Sequence, residues 1–173
     1  MIQRPRLDAW MRDISRAVPK SPLWALLSAG VVAGLGLGTL CVHLVHLVTR
    51  SEGLLITLLG TLVPMTLSLA LLVSGVWIYR RYPPEVVVWT GGWCFAATVV
   101  LVAVSVLSIT YQASKGVLMT DLLFLMTNHA TVGGLLGTLM GIYDGQRHRK
   151  ERTFQYERDR AQALSDRLSI LNR

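Results

Sequence analysis

Four side chains in this sequence can do chemistry in surroundings that leave few competitors: His43 and His46, three residues apart, and the adjacent pair Asn128 and His129. All stand inside long uncharged runs, "LWALLSAGVVAGLGLGTLCVHLVHLVT" and "LLFLMTNHATVGGLLGTLMGIY". A polar group in such a run is costly to leave facing lipid, so it marks either a protein contact or a site. Histidine titrates near neutrality and can donate through one ring nitrogen while accepting through the other. Three chemistries are open to this set. The rings can hydrogen-bond one another, Asn128 and backbone carbonyls as structural contacts. They can form a pocket for a small molecule, a quinone or a proton. They can ligate haem or a metal ion. The spacing gives a metal centre little help: His43 and His46 share a helix face, but no carboxylate or cysteine completes the set. Cys41 lies elsewhere on the turn and Asp121 at the end of its run.

The elements that position these residues follow from the charge pattern. Between Pro22 and Tyr143 only Arg50, Glu52, Arg80, Arg81, Glu85, Lys115 and Asp121 are charged, in a chain of 173 residues. A soluble domain would scatter charge along every surface helix. Four apolar runs result, about 23–49, 54–79, 86–111 and 121–143, each at least as long as the ~20 residues that cross a bilayer. The first far exceeds the ~7–15 residues of a signal-peptide core. No segment alternates with period two, which excludes a porin-like barrel. The expected fold is an all-α membrane protein: a four-helix transmembrane bundle over 21–143, preceded by an interfacial helix in 1–20 and followed by a coiled-coil-like helix in 144–173. Cys41 and Cys94 both fall within spans and read as small buried apolar residues, not a disulfide.

Fifteen of the seventeen Lys and Arg residues fall at 4–20, 80–81 and 147–173, leaving only Arg50 and Lys115 in the first and third connections. The positive-inside rule then puts both termini and the second connection in the cytoplasm of a multi-pass cell-membrane protein. Trp10, Trp24, Trp77, Tyr79, Trp89 and Tyr143 would lie near the inner interface and Tyr111 near the outer one. The net charge of +7 is therefore read as membrane orientation and not as a nucleic-acid surface. Connections this short hold no folded domain and make sequential spans antiparallel neighbours.

Gly30, Gly34 and Gly38 in the first span, and Gly133, Gly137 and Gly141 in the fourth, recur every four residues. Such stripes let another backbone come close, so the first and fourth spans are expected to pack on each other, or each stripe on its copy in a second subunit. Counting back from Gly133 puts His129 on the same face, about 12 Å below the outer end of its span at the helical rise. Pro64 removes a hydrogen bond to the Gly60 carbonyl and predicts a kink.

Both flanks carry helical periodicity. "LDAWMRDISRAV" places Leu7, Trp10, Met11, Ile14 and Val18 on one face, as in a helix lying on the inner membrane surface. In the tail, Phe154, Glu157, Ala161, Leu164, Leu168 and Leu171 follow a 3, 4, 3, 4, 3 spacing, a heptad seam about two and a half repeats long. A monomeric amphipathic helix on the membrane fits that pattern too.

Four spans with almost no loops, then "GGLLGTLMGIYDGQRHRKERTFQYERDRAQALSDRLSILNR", resemble the N-terminal membrane sensor region of archaeal (haloarchaeal-type) sensor histidine kinases. The matching features are a glycine-rich last span ending in Tyr143-Asp144, a charged helix rich in Arg, Glu and Leu, and a closing Leu171-Asn172. The resemblance implies a sensory and signal-transmitting module, a homodimer paired through the tail, and a cytoplasmic kinase domain or response regulator as partner. Asp144-Gly145 would be the joint between membrane and coil. The sequence departs from the family's catalytic half: it has no asparagine box and no glycine-rich nucleotide lid, and His148 in "RHRKER" is poorly placed to accept a phosphoryl group. From another class, a small redox protein would use His129 with His43 or His46 to hold haem or a quinone.

Overall fold

The computed structural model describes residues 22–49, 58–112 and 119–171. The interfacial helix expected over 7–18, the first and third connections and Asn172 lie outside the described residues. Everything regular within them is helical: α1 (Pro22–Thr49), α2 (Val63–Arg81) entered through a π-helical turn (Leu58–Leu62), α3 (Pro84–Gln112) and α4 (Met119–Leu171). Four helices are long and apolar enough to cross a membrane, which fits a multi-pass membrane protein.

The helices run up and down. Gly75 of α2 lies against Ala29 and Ala33 of α1, and Gly36 of α1 against Ser68 and Leu72 of α2, an antiparallel pairing at close range. Gly91 of α3 meets Ser28 of α1, and farther along Cys94 shares a core cluster with Val32, so α1 and α3 are parallel. α1 touches all three other helices, whereas α2 and α3 scarcely meet beyond their connecting turn. Sequential order therefore does not fix the neighbours: the tight Tyr82–Pro83 turn joins helices that lie on opposite sides of α1. The turn is made by the Tyr82 N–H donating to Ile78 O at 3.0 Å, with Pro83 and Pro84 unable to prolong α2.

Two apolar clusters lie on the tail side of this arrangement. Ala25, Ala29, Ile78 and Val87 form one, Val32, Leu71 and Cys94 the next. Small Ala25, Ala29 and Cys94 pack against larger Ile, Val and Leu side chains, and dispersion between packed atoms replaces the hydrophobic drive that lipid cannot supply. Cys41 departs from expectation: it lies on the exposed face of α1, while Cys94 is buried as expected.

The kink expected at Pro64 is absorbed differently. Pro64 stands in the first turn of α2, directly after the π-helical turn, where its missing N–H removes no α-helical bond. The helix that carries the last apolar run continues past Tyr143. α4 runs for 53 residues, about 80 Å at the helical rise, through Asp144-Gly145 and into the tail without a break.

Candidate functional site

The glycine ladder of α4 meets α3, not α1. A Cβ added at Gly133, Gly137, Gly141 or Gly145 would stand within 3.0 Å of backbone atoms of Ala97, Cys94, Thr90 or Val86 respectively. By contrast, a Cβ at Gly30, Gly34 or Gly38 would meet nothing within 4 Å. The same four-residue spacing thus serves a closed seam in one helix and an open face in the other. The reason is rotational. α1 already presents Ala29, Ala33 and Gly36 to α2 and Ser28 to α3, which turns its ladder outward.

This rotation separates the histidines. His129 lies on the α3-facing side of α4, and its Nδ1 sits 2.9 Å from Leu125 O of its own helix. Among the described residues no hydrogen bond or ring contact joins it to His43 or His46. Those two instead converge on Phe124 from α1. His46 stacks on the Phe124 ring with centroids 3.9 Å apart, and His43 meets it edge-on at 5.3 Å. No group of three His, Cys, Asp or Glu that could hold a metal ion occurs among the described residues.

Beneath Phe124 the interior is polar. Thr39 of α1, Ser68 of α2 and Thr131 of α4 are buried and joined through their hydroxyls, Thr39 to Ser68 at 3.0 Å and Ser68 to Thr131 at 3.2 Å. Thr131 Oγ1 reaches the Thr127 carbonyl at 2.8 Å, so the three protons can point one way, Thr39 to Ser68 to Thr131 to that carbonyl. Pro64 and the π turn help set Ser68 in place, since its hydroxyl also lies 2.8 Å from Pro64 O. Gly36 lets α2 come close enough for the first link.

His43 is one turn outward of Thr39 and wholly buried. Both of its ring nitrogens, and Asn128 Oδ1 one turn inward of Phe124, are buried with no hydrogen-bond partner among the described residues. Each such orphan costs ~1–3 kcal/mol relative to a satisfied group. A core built only for stability would carry Leu and Ala at these positions. Unpaired donors and acceptors beside a satisfied hydroxyl chain are what a small hydrogen-bonding guest, or a proton carried between partners, requires.

A second polar cluster forms where α4 leaves the apolar region. Trp93 Nε1 donates to Asp144 Oδ2 at 3.0 Å. His148 lies 3.6 Å from Asp144 and 3.5 Å from Glu151, and its ring stacks on Trp89 with centroids 4.8 Å apart. Arg152 donates to Glu85 at 3.2 Å. Arg147 donates to Glu151 at 3.0 Å, which holds its guanidinium above the usual range and so charged. Asp144 and Gly145, expected as the joint between membrane and coil, lie within the unbroken helix and touch α3 at Trp93 and Val86. The sequence singles out Asp144 as part of a joint, Trp89 as an interface aromatic and His148 in the basic run, but not their meeting. The signal available was helical spacing: Trp89 and Trp93 lie one turn apart, as do Asp144 and His148.

Beyond Arg152 every described residue of the tail is exposed. Phe154, Leu164, Leu168 and Leu171 are exposed, as are Glu157 and Ala161 between them, so the whole heptad seam lies uncovered. Comparison with protein-family models, with curated proteins and with solved structures returns no match.

Proposed function

We propose that the protein is a membrane-embedded sensory and signal-transmitting module, the membrane part of a two-component sensor system. The observation that carries this reading is the single helix α4. One rod holds Phe124, Asn128 and Thr131 at the buried polar site and displays an unpartnered apolar seam at Leu164, Leu168 and Leu171. A change in how the polar site is occupied alters the fit of α4 against α1 and α2. The close seam with α3, fastened by Trp93–Asp144 and Arg152–Glu85, is the fulcrum on which α4 tilts, and the tilt arrives at the tail as a displacement of its apolar seam.

The stimulus is a membrane-soluble molecule with hydrogen-bonding groups, or a proton, received by His43 and Asn128. Both termini face the cytoplasm, where the basic residues cluster. The working unit is a homodimer paired through the tails, with the open Gly30, Gly34 and Gly38 face of α1 available for a second contact. A cytoplasmic kinase domain or response regulator reads the tail. The resemblance of the Tyr143-Asp144 exit and charged tail to sensor kinase membrane regions supports the same reading.

Disulfide mapping in native membranes tests it. In a background with Cys41→Ser and Cys94→Ala, single cysteines at Leu164 and Leu168 are expected to cross-link between subunits, and one at Gln162 to lag. Equal yields at all three positions, or none, would remove the paired tail and the relay with it.

A further inference from the structure

Where α4 leaves the apolar region, a cleft of about 680 Å³ separates it from the α2–α3 turn. Its lining from α4 is Gln146, Arg149, Lys150, Thr153, Phe154 and Glu157, one face of the helix, and it closes on Tyr82 and Val86. This lies within the ~300–1,000 Å³ of small-ligand sites. The lining is amphipathic: Tyr82, Val86 and Phe154 are apolar, Gln146, Arg149 and Lys150 bring donors. The Thr153 hydroxyl is already used on Arg149 O at 3.0 Å.

The neighbouring cations are engaged and these two are not. Arg147 is held by Glu151, and Arg152 by Glu85. Arg149 and Lys150 form no ion pair with another described residue, and both are exposed. With Glu157 at the far end the cleft carries one net positive charge, the complement of one phosphodiester. Trp77, Tyr79, Trp89 and Tyr143, residues of the type that gathers at headgroup depth, surround the same level of the helices.

We infer that this cleft binds the headgroup of an anionic phospholipid from the adjoining leaflet, its phosphate on Arg149 and Lys150 and its glycerol end on Tyr82 and Val86. Cations just outside a membrane span select such lipids in this way. The site is independent of the sensory reading, yet it has a consequence for it. Phe154 and Glu157 belong both to the cleft and to the first turns of the tail seam, so a bound headgroup covers part of the surface that a second tail would use.

Native mass spectrometry of the purified full-length chain tests this, with phosphatidylglycerol and phosphatidylcholine as probes. One phosphatidylglycerol per chain is expected to be retained in preference to phosphatidylcholine, with the preference falling about fivefold for each of Arg149→Gln and Lys150→Gln. Arg80→Gln with Arg81→Gln, outside the cleft, is expected to leave it unchanged. Three outcomes overturn the inference. The double variant at 149 and 150 keeps the full preference; the Arg80 and Arg81 variant loses as much; or excess inorganic phosphate displaces the lipid, which would make this a site for a soluble anion. All four side chains are exposed, and unchanged helical circular dichroism verifies that each variant is folded.

Discussion

The two seams of α4 are built on opposite principles. Toward α3 it presents Gly133, Gly137, Gly141 and Gly145, and the backbones touch along almost the whole contact. Toward α1 and α2 it presents Phe124, Asn128 and Thr131, and the contact is polar, partly hydrogen-bonded and partly left unsatisfied. The first seam spends sequence on closeness and gives a fixed partner. The second gives up stability at buried polar atoms, a cost that protein cores avoid unless something uses those atoms. A closely packed seam and a polar, partly unsatisfied one are thus separated onto two faces of one helix, the division of labour that the proposed sensory role needs.

The comparison can be broken by substitution. The largest effect is expected at Gly137→Val, where new methyl groups meet Trp93 and Cys94 backbone that cannot give way. A loss of about 3 kcal/mol or more in detergent unfolding is expected, and an unperturbed protein would show that the glycine seam is not closed. Next is Trp93→Phe, which removes the donor to Asp144; about 1.5 kcal/mol should disappear, with faster proteolysis of the tail as a second readout. Ser68→Ala interrupts the hydroxyl chain across three helices and is expected to cost about 1 kcal/mol, typical of hydrogen bonds between membrane helices. His43→Phe belongs at the other extreme. Replacing an unsatisfied buried imidazole by the larger but apolar phenyl ring sets slight overpacking against the removal of two orphaned nitrogens, and is expected to leave unfolding within about 0.5 kcal/mol of the parent or to raise it, while abolishing the response. A loss comparable to Ser68→Ala would instead make His43 a structural residue. Smallest is Gly34→Ala on the open face of α1: no loss in the monomer, and a gain of up to about 1 kcal/mol from helix propensity. A loss of tail cross-linking in that variant would reveal a dimer contact there.

The sequence announces the architecture more clearly than the site. Four apolar runs are visible because bilayer thickness imposes a length that few soluble helices reach. The tail seam is visible as a heptad spacing, and every residue from 153 to 171 is exposed. Which face of α1 turns inward was not legible, because Gly30, Gly34 and Gly38 follow the same spacing as the ladder of α4. The residues that decide are Ala29, Ala33 and Gly36, whose small side chains look unremarkable among so many others. The histidines could be read as buried polar groups, but rotation of two helices decides that His43 and His46 meet at Phe124 while His129 turns to α3. Thr39, Ser68 and Thr131 passed unnoticed since hydroxyls in membrane helices commonly bond their own i−4 carbonyl. Only the crossing of three helices shows that they also reach one another. Asp144-Gly145 is expected as a joint from the family resemblance, and the contacts of Trp93 and Val86 with this unbroken stretch of helix have no signature in the sequence.

The central claim is that the buried polar site governs the tail through an unbroken α4. It is tested most directly by the rate of disulfide formation at Leu164→Cys in native membranes, compared between His43 and His43→Phe backgrounds. The account predicts a changed rate, in either direction, with unfolding stability preserved. Identical rates in two equally stable proteins would mean that the site and the tail share a helix and nothing more.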